Sequence, residues 1–177
     1  ADIRKNYELY KKNFVQGDMV KIFMILVPKT TDAAAAHAKV AEMNAQVKSK
    51  PASTAEVRIR SQAENSGFQA GELYFSKDSA TAQQLGMTMD NLLKIFAMEI
   101  NQVSDVSETD QDYRFFVMQE KYAAKILELS DVVKPGTNVT VYEYIKKTLI
   151  ANNQNKAFSD ALAQIVTELR VPENYQI

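Results

Sequence analysis

The sequence predicts an α+β fold, a small sheet covered by helices, and two segments carry that expectation. Residues 20–27 read VKIFMILV; seven of the eight are apolar, and no charge follows Lys21 until Lys29. A strand with one wet face alternates polar and apolar residues, so an unbroken apolar run implies cover on both faces. Pro28 lacks a backbone donor and helps to stop the run. Residues 113–118, YRFFVM, are the other stretch dense in aromatic and β-branched side chains. These two are expected to be the central strands, with helices and turns between them.

In chain order, Asp2 is expected to cap a first helix whose stripe is Ile3, Tyr7, Tyr10 and Phe14 and which ends at Gly17-Asp18. After the first strand, Thr31 or Asp32 caps an alanine-rich helix reaching about Ser49. Ala36, Val40, Met43 and Val47 are its buried face, and Pro51 closes it. Residues 52–65 read as a shorter helix, weakened by Val57 and Ile59. Ser66, Gly67 and Gly71 mark a turn before a strand at residues 72–75. A polar loop then leads through Gly86 to a helix capped near Thr88 or Asp90, with Leu92, Leu93, Phe96 and Ile100 inward. Residues 103–107 read as a third strand. Asp105, Glu108, Asp110 and Asp112 form an acidic turn without the glycine and spacing of a calcium loop, so solvation is expected there. Residues 119–133 read as an extended connector and Lys134-Pro135-Gly136 as a turn. Residues 140–169 are again helical, with a break expected near Asn152-Asn153.

Composition excludes several functions. The 177 residues are 46% hydrophobic and 24% charged, enough for one sizeable domain or a compact domain with a helical extension. With 21 basic against 22 acidic residues there is no basic stripe for nucleic acid and no polybasic patch for an anionic membrane. No apolar run is long enough to span a membrane. Without cysteine there is no thiolate or disulfide chemistry, and His37 alone cannot build a His/Cys metal site. The five glycines form no phosphate-cradling loop, so neither a nucleotide nor any other cofactor is expected.

Several local sequences resemble one family, the parvulin-type peptidyl-prolyl isomerases. AGELYF (residues 70–75) resembles the family's GGDLGxF, one residue shorter. IFAMEINQVSDV (95–106) is similar to A-F-x-L-x-x-G-E-x-S-x-P-V. SDVSETDQDYRFFVM (104–118) follows S-D-P-V-x-T-x-F-G-Y-H-I-I-K-V without a gap, and FMILV (23–27) lies where the family has R-H-I-L-V. The flanks, YELYKKNF (7–14) and residues 129–170, resemble the helices that bracket such domains in SurA- and PrsA-type foldases. The resemblance implies a four-stranded antiparallel sheet covered by helices over residues 19–121. Around it would lie an N-terminal helix (1–18), a linker (122–138) and a C-terminal helical segment (139–177), the two helical parts forming one module.

It also implies site residues. The two histidine positions of a parvulin are held here by Met24 and Arg114, and the Cys or Asp facing the substrate falls on Glu64. Leu73, Met87, Phe96 and Thr109 match the substrate cup, while its aromatic position becomes Asn91. Glu64 is the expected ion-pair partner of Arg114. His37 matches nothing catalytic and is expected to be an exposed helix residue. The function expected is a chaperone or foldase with a catalytically inactive parvulin-like domain, periplasmic or otherwise extracytoplasmic, with membrane anchoring as an option in the full-length protein. Its clients would be unfolded or extended secreted or outer-membrane polypeptides. An active isomerase and a protein–protein adaptor are the two alternatives. Phe158, Leu162, Ile165, Val166 and Leu169 form a stripe that the first helix is too short to cover. A homodimer or a preceding N-terminal segment is expected to cover the remainder.

Overall fold

The structure, a computed structural model, describes residues 2–29 and 32–170. In chain order the elements are α1 (Asp2–Tyr10), β1 (Val15–Gln16), β2 (Met19–Pro28), α2 (Ala33–Ser49), α3 (Thr54–Ser61) and β3 (Gln69–Ser76). There follow α4 (Ser79–Gln84), α5 (Met89–Ala97), β4 (Ser107–Glu108), β5 (Asp112–Tyr122), β6 (Lys125–Ile126) and α6 (Val141–Leu169). Two compact units result, one from residues 17–125 and one from the two ends of the chain.

The inserted unit is a four-stranded antiparallel sheet in the order β3–β2–β5–β4. β2 lies between two neighbours and is covered on both faces, which accounts for its unbroken apolar sequence. Phe23, Ile25 and Val27 join Phe115 and Val117 beneath α2 and α3, where Val40, Val47 and Val57 are no more than 1% exposed. Val20, Ile22, Phe116 and Met118 face the other way, against Leu92 and Ile95 of α5 and Ala82 of α4. Each large side chain so buried contributes about 1.5–3 kcal/mol. Asp32 caps α2 by accepting from the Ala35 amide at 2.8 Å; Thr31, the alternative cap, lies outside the described residues. Thr88 caps α5 in the same way, accepting from the Asn91 amide.

The second unit joins the ends of the chain. Tyr7 of α1 packs with Leu127, Val141 and Ile145, and Ile3, Phe14 and Leu149 border that cluster. The Tyr7 hydroxyl donates to the Leu127 carbonyl at 3.0 Å. β1 and β6 pair as a two-stranded ribbon. Thr140 and Glu143 form a reciprocal capping box that starts α6. Beyond Leu149 the helix faces solvent: Phe158, Leu162, Ile165, Val166 and Leu169 are all 46% exposed or more. No helix among the described residues is long and apolar enough to cross a membrane.

Several expected boundaries shift, each for a physical reason. Asp2 is the first helical residue rather than the cap. α1 gives way at Tyr10 to a 3-10 turn (Lys11–Asn13) and the helical run ends short of Gly17, because the Phe14 carbonyl is taken by the Leu127 amide and Val15–Gln16 is strand. The helix expected over residues 52–65 is a 3-10 turn (Pro51–Ser53) followed by α3, and it ends early where Asn65 turns the chain at φ 60°. The third strand shrinks to Ser107–Glu108, with Val103 making an isolated bridge to Val117. β5 continues to Tyr122, where a connector was expected, because its far end pairs with Met19–Lys21 across a bulge. α6 runs unbroken through Asn152-Asn153, since exposed asparagine lowers helix propensity by less than about 1 kcal/mol.

Candidate functional site

The α5-facing side of the sheet presents three cross-strand rows. In an antiparallel pair, directly opposed residues share a face. The rows are Leu73–Ile22–Met118, then Gly71–Met24–Phe116, then Gln69–Leu26–Arg114–Ser107. Met24 and Arg114 are therefore diagonal neighbours on one face.

Beside them opens a cavity of about 550 Å³. Phe116, Ile95, Met98 and Met87 give it apolar walls; Asn91, Thr88 and Lys94 line the α5 side, and Ser107, Thr109 and Arg114 the opposite one. The turn that delivers Met87 requires Gly86 at φ +62°, a conformation unfavourable to other residues. The wall at residues 104–109 is pinned from behind. Ser104 Oγ accepts from the Phe116 amide at 2.9 Å, and the Ser104 carbonyl accepts from Asn44 Nδ2 of α2 at 2.9 Å.

Arg114 is buried and held on three sides. Its Nε donates to Asp112 Oδ1 and its Nη2 to Oδ2, each at 2.5 Å, a two-pronged fork. Nη1 donates to the Leu85 carbonyl at 2.9 Å, and Nη2 also reaches Thr109 Oγ1 at 3.4 Å. Thr109 Oγ1 accepts from the Asp112 amide at 3.1 Å, locking the turn to the pair. The remaining rim acids face cations. Lys29 donates to Glu108 at 2.6 Å and holds its carboxyl below the ordinary range; Lys48 does the same to Asp105 at 2.7 Å. The turn is solvated as expected at Asp105, Glu108 and Asp110, with surface ion pairs to Lys48 and Lys29, while Asp112 is buried against Arg114. Among the described residues no three His, Asp or Glu side chains converge on a metal site.

Of the expected site residues, the structure gathers Met87, Asn91, Thr109 and Arg114 around one cavity. Met24 lies on the same face, packed against the core beside it. Leu73 shares the face but sits two rows away, 36% exposed on the edge strand. Phe96 packs on the α5 core with Lys77 Nζ 5.9 Å from its ring centre, outside the cavity lining. Glu64 is exposed in the turn after α3 and is not the partner of Arg114; Asp112, two residues away on the same strand face, takes that place. His37 is exposed, its ring edge-on to Tyr113 at 5.1 Å. The residues not assigned to the site from sequence are Asp112, Phe116, Ile95 and Met98, and three of them had signals. Two lie one strand period from Arg114, and Ile95 lies one helical turn from Asn91.

The arrangement offers an apolar patch beside hydroxyl, amide and fixed guanidinium groups. Among curated proteins none matches the chain. Among solved structures, similarity is found to a chain described with the virulence factor PEB4 and the periplasmic protein Cj1289, two structurally related SurA-like chaperones of Campylobacter jejuni. Sequence identity is 15% and the TM-score 0.44; the match covers 96% of this chain but 62% of that one, so this chain spans less than two thirds of its length. The sequence matches the PPIC-type PPIASE domain over residues 1–135, more than half of its length. The chain belongs to the PPIC-type peptidyl-prolyl isomerase family.

Proposed function

We propose that this chain is an extracytoplasmic foldase of the chaperone kind, whose cup holds extended segments of unfolded secreted or outer-membrane proteins with little acceleration of prolyl isomerisation. The observation that carries this is the locked guanidinium of Arg114. Rotation about a peptide bond crosses a barrier of about 18–20 kcal/mol, and a catalyst must offer groups that follow the twisting amide. Arg114, standing where the family has a histidine, is forked onto Asp112 and tied to Leu85 and Thr109. Pulling such a buried pair apart costs about 3–5 kcal/mol, so it is a fixed wall and not a responsive donor. Met24, at the other histidine position, contributes a thioether with almost no hydrogen-bonding capacity. What remains is binding, and the methionine-lined cup adapts to varied apolar side chains.

Two assays on the same preparation test this. Cis/trans interconversion of an Ala-Pro test peptide should be accelerated less than about tenfold, equivalent to about 1.4 kcal/mol of barrier. Aggregation of an unfolded outer-membrane protein should be delayed at near-stoichiometric amounts without nucleotide, and less so by Met87→Ala. Fast isomerisation abolished by Met87→Ala would establish the active-isomerase alternative. Absence of any delay, together with tight binding to one folded partner, would establish the adaptor.

A further inference from the structure

A second cavity, of about 450 Å³, adjoins the cup. Gly86, Glu108, Thr109 and Arg114 line both cavities, so the two share a wall. Their chemistry differs. The cup sets Met87, Ile95, Met98 and Phe116 among polar groups, whereas its neighbour is lined by Gln83 and Gln84 of α4, by Gln111 of the β4–β5 turn and by the carboxylates of Glu108, Asp110 and Asp112. Among the described residues no hydrogen bond engages the side-chain amides of these three glutamines, which leaves both their donors and their acceptors available.

We propose that the second cavity continues the client groove, taking amide groups of the polypeptide next to the apolar residue seated in the cup. The proposal rests on the peptide-binding reading above. An extended chain advances about 3.3 Å per residue and turns alternate side chains to opposite sides, so a segment spanning two adjoining cavities presents backbone amides throughout. Glutamine amides pair with such groups in either direction. Arg114 fits the crossing point. A guanidinium has five N–H groups, and its four hydrogen bonds to Asp112, Leu85 and Thr109 leave one N–H on Nη1 for a client carbonyl at the shared wall. The amides received come from the client backbone or from Asn and Gln side chains, and the same experiment separates the two.

Fluorescence anisotropy of labelled peptides provides the test. The core is Ala-Pro-Phe with blocked ends; in separate peptides three alanines or three glutamines extend it at one end or the other. Extension at one end should tighten binding about tenfold, the net effect of one or two hydrogen bonds, and extension at the other should not. Equal gains from alanine and glutamine assign the contact to the backbone; a gain from glutamine alone assigns it to side chains. The Gln83→Ala/Gln111→Ala double variant, altered only at exposed positions, should lose the gain while binding the core as before. No gain at either end, or a gain that survives in the double variant, overturns the second subsite. Failure of the core itself to bind overturns the cup reading instead, so the two failures are distinguishable.

Discussion

Asp112 and Arg114 are two residues apart on β5, and strand alternation turns both toward α5, where each is less than a tenth exposed. A buried ion pair contributes little net stability, because desolvation offsets the attraction, yet removing one partner strands the other as a bare buried charge. Asp112→Ala is therefore expected to destabilise the protein by about 3–5 kcal/mol in denaturant unfolding, whereas Asp112→Val combined with Arg114→Met should fall within about 1–2 kcal/mol of the parent. If the single variant lost under about 1 kcal/mol, the pair would be relaxed by water and the fixed-wall argument would fail. The same pair shows what the sequence disclosed about the site. Motif positions led to Met87, Asn91, Thr109 and Arg114, which line one cavity. Counting along a loop led wrongly to Glu64, since one residue of slippage in a loop changes the answer while strand period does not. Leu73 and Phe96 were placed on the right elements, but a motif does not say which turn of an element reaches the cavity.

α6 is one helix with two environments. Val141, Ile145 and Leu149 pack in the cluster with Tyr7, and from Ile150 to Arg170 every residue is exposed. Most helical stability in proteins comes from packing of one face, which this stretch lacks, so it rests on the propensity of formers such as Ala157, Ala161 and Ala163. Amide hydrogen exchange should therefore split the helix. Protection factors at Ile145 and Leu149 should exceed those around Leu162 by about a hundredfold or more, given local openings that range from near zero to the global stability. Uniform protection along α6 would reveal a cover over the Phe158–Leu162–Ile165 stripe. Other elements were legible in proportion to how far packing dictates pattern. β2 and the first half of β5 are enclosed on both faces and announce themselves. The far end of β5, residues 119–122, reads Gln-Glu-Lys-Tyr and is strand only because β2 lies alongside. α4 has no apolar stripe at all; its one advertisement is Asp78, whose carboxylate accepts from the Thr81 amide at 2.7 Å.

The inserted unit holds both of its apolar clusters within residues 20–118, and the ends of the chain hold the third. Residues 17–125 alone should accordingly fold cooperatively, with dispersed amide resonances and a single unfolding transition. Deleting residues 2–14 should leave that transition in place and lower the helical circular dichroism from α6. A molten 17–125 fragment would show that the sheet depends on the ends. The partition also has a consequence in time. Tyr7 and the Leu127 carbonyl it binds are 120 positions apart. β5 ends at Tyr122 and Leu149 of α6 is made 27 residues later, roughly 1–5 s at a synthesis rate of 5–20 residues per second. Sheets of this size close within milliseconds to seconds, so the inserted unit is complete while α1 still lacks its partner helix. During that interval the emerging polypeptide carries a finished sheet and an amphipathic first helix whose packing partner has not yet been made.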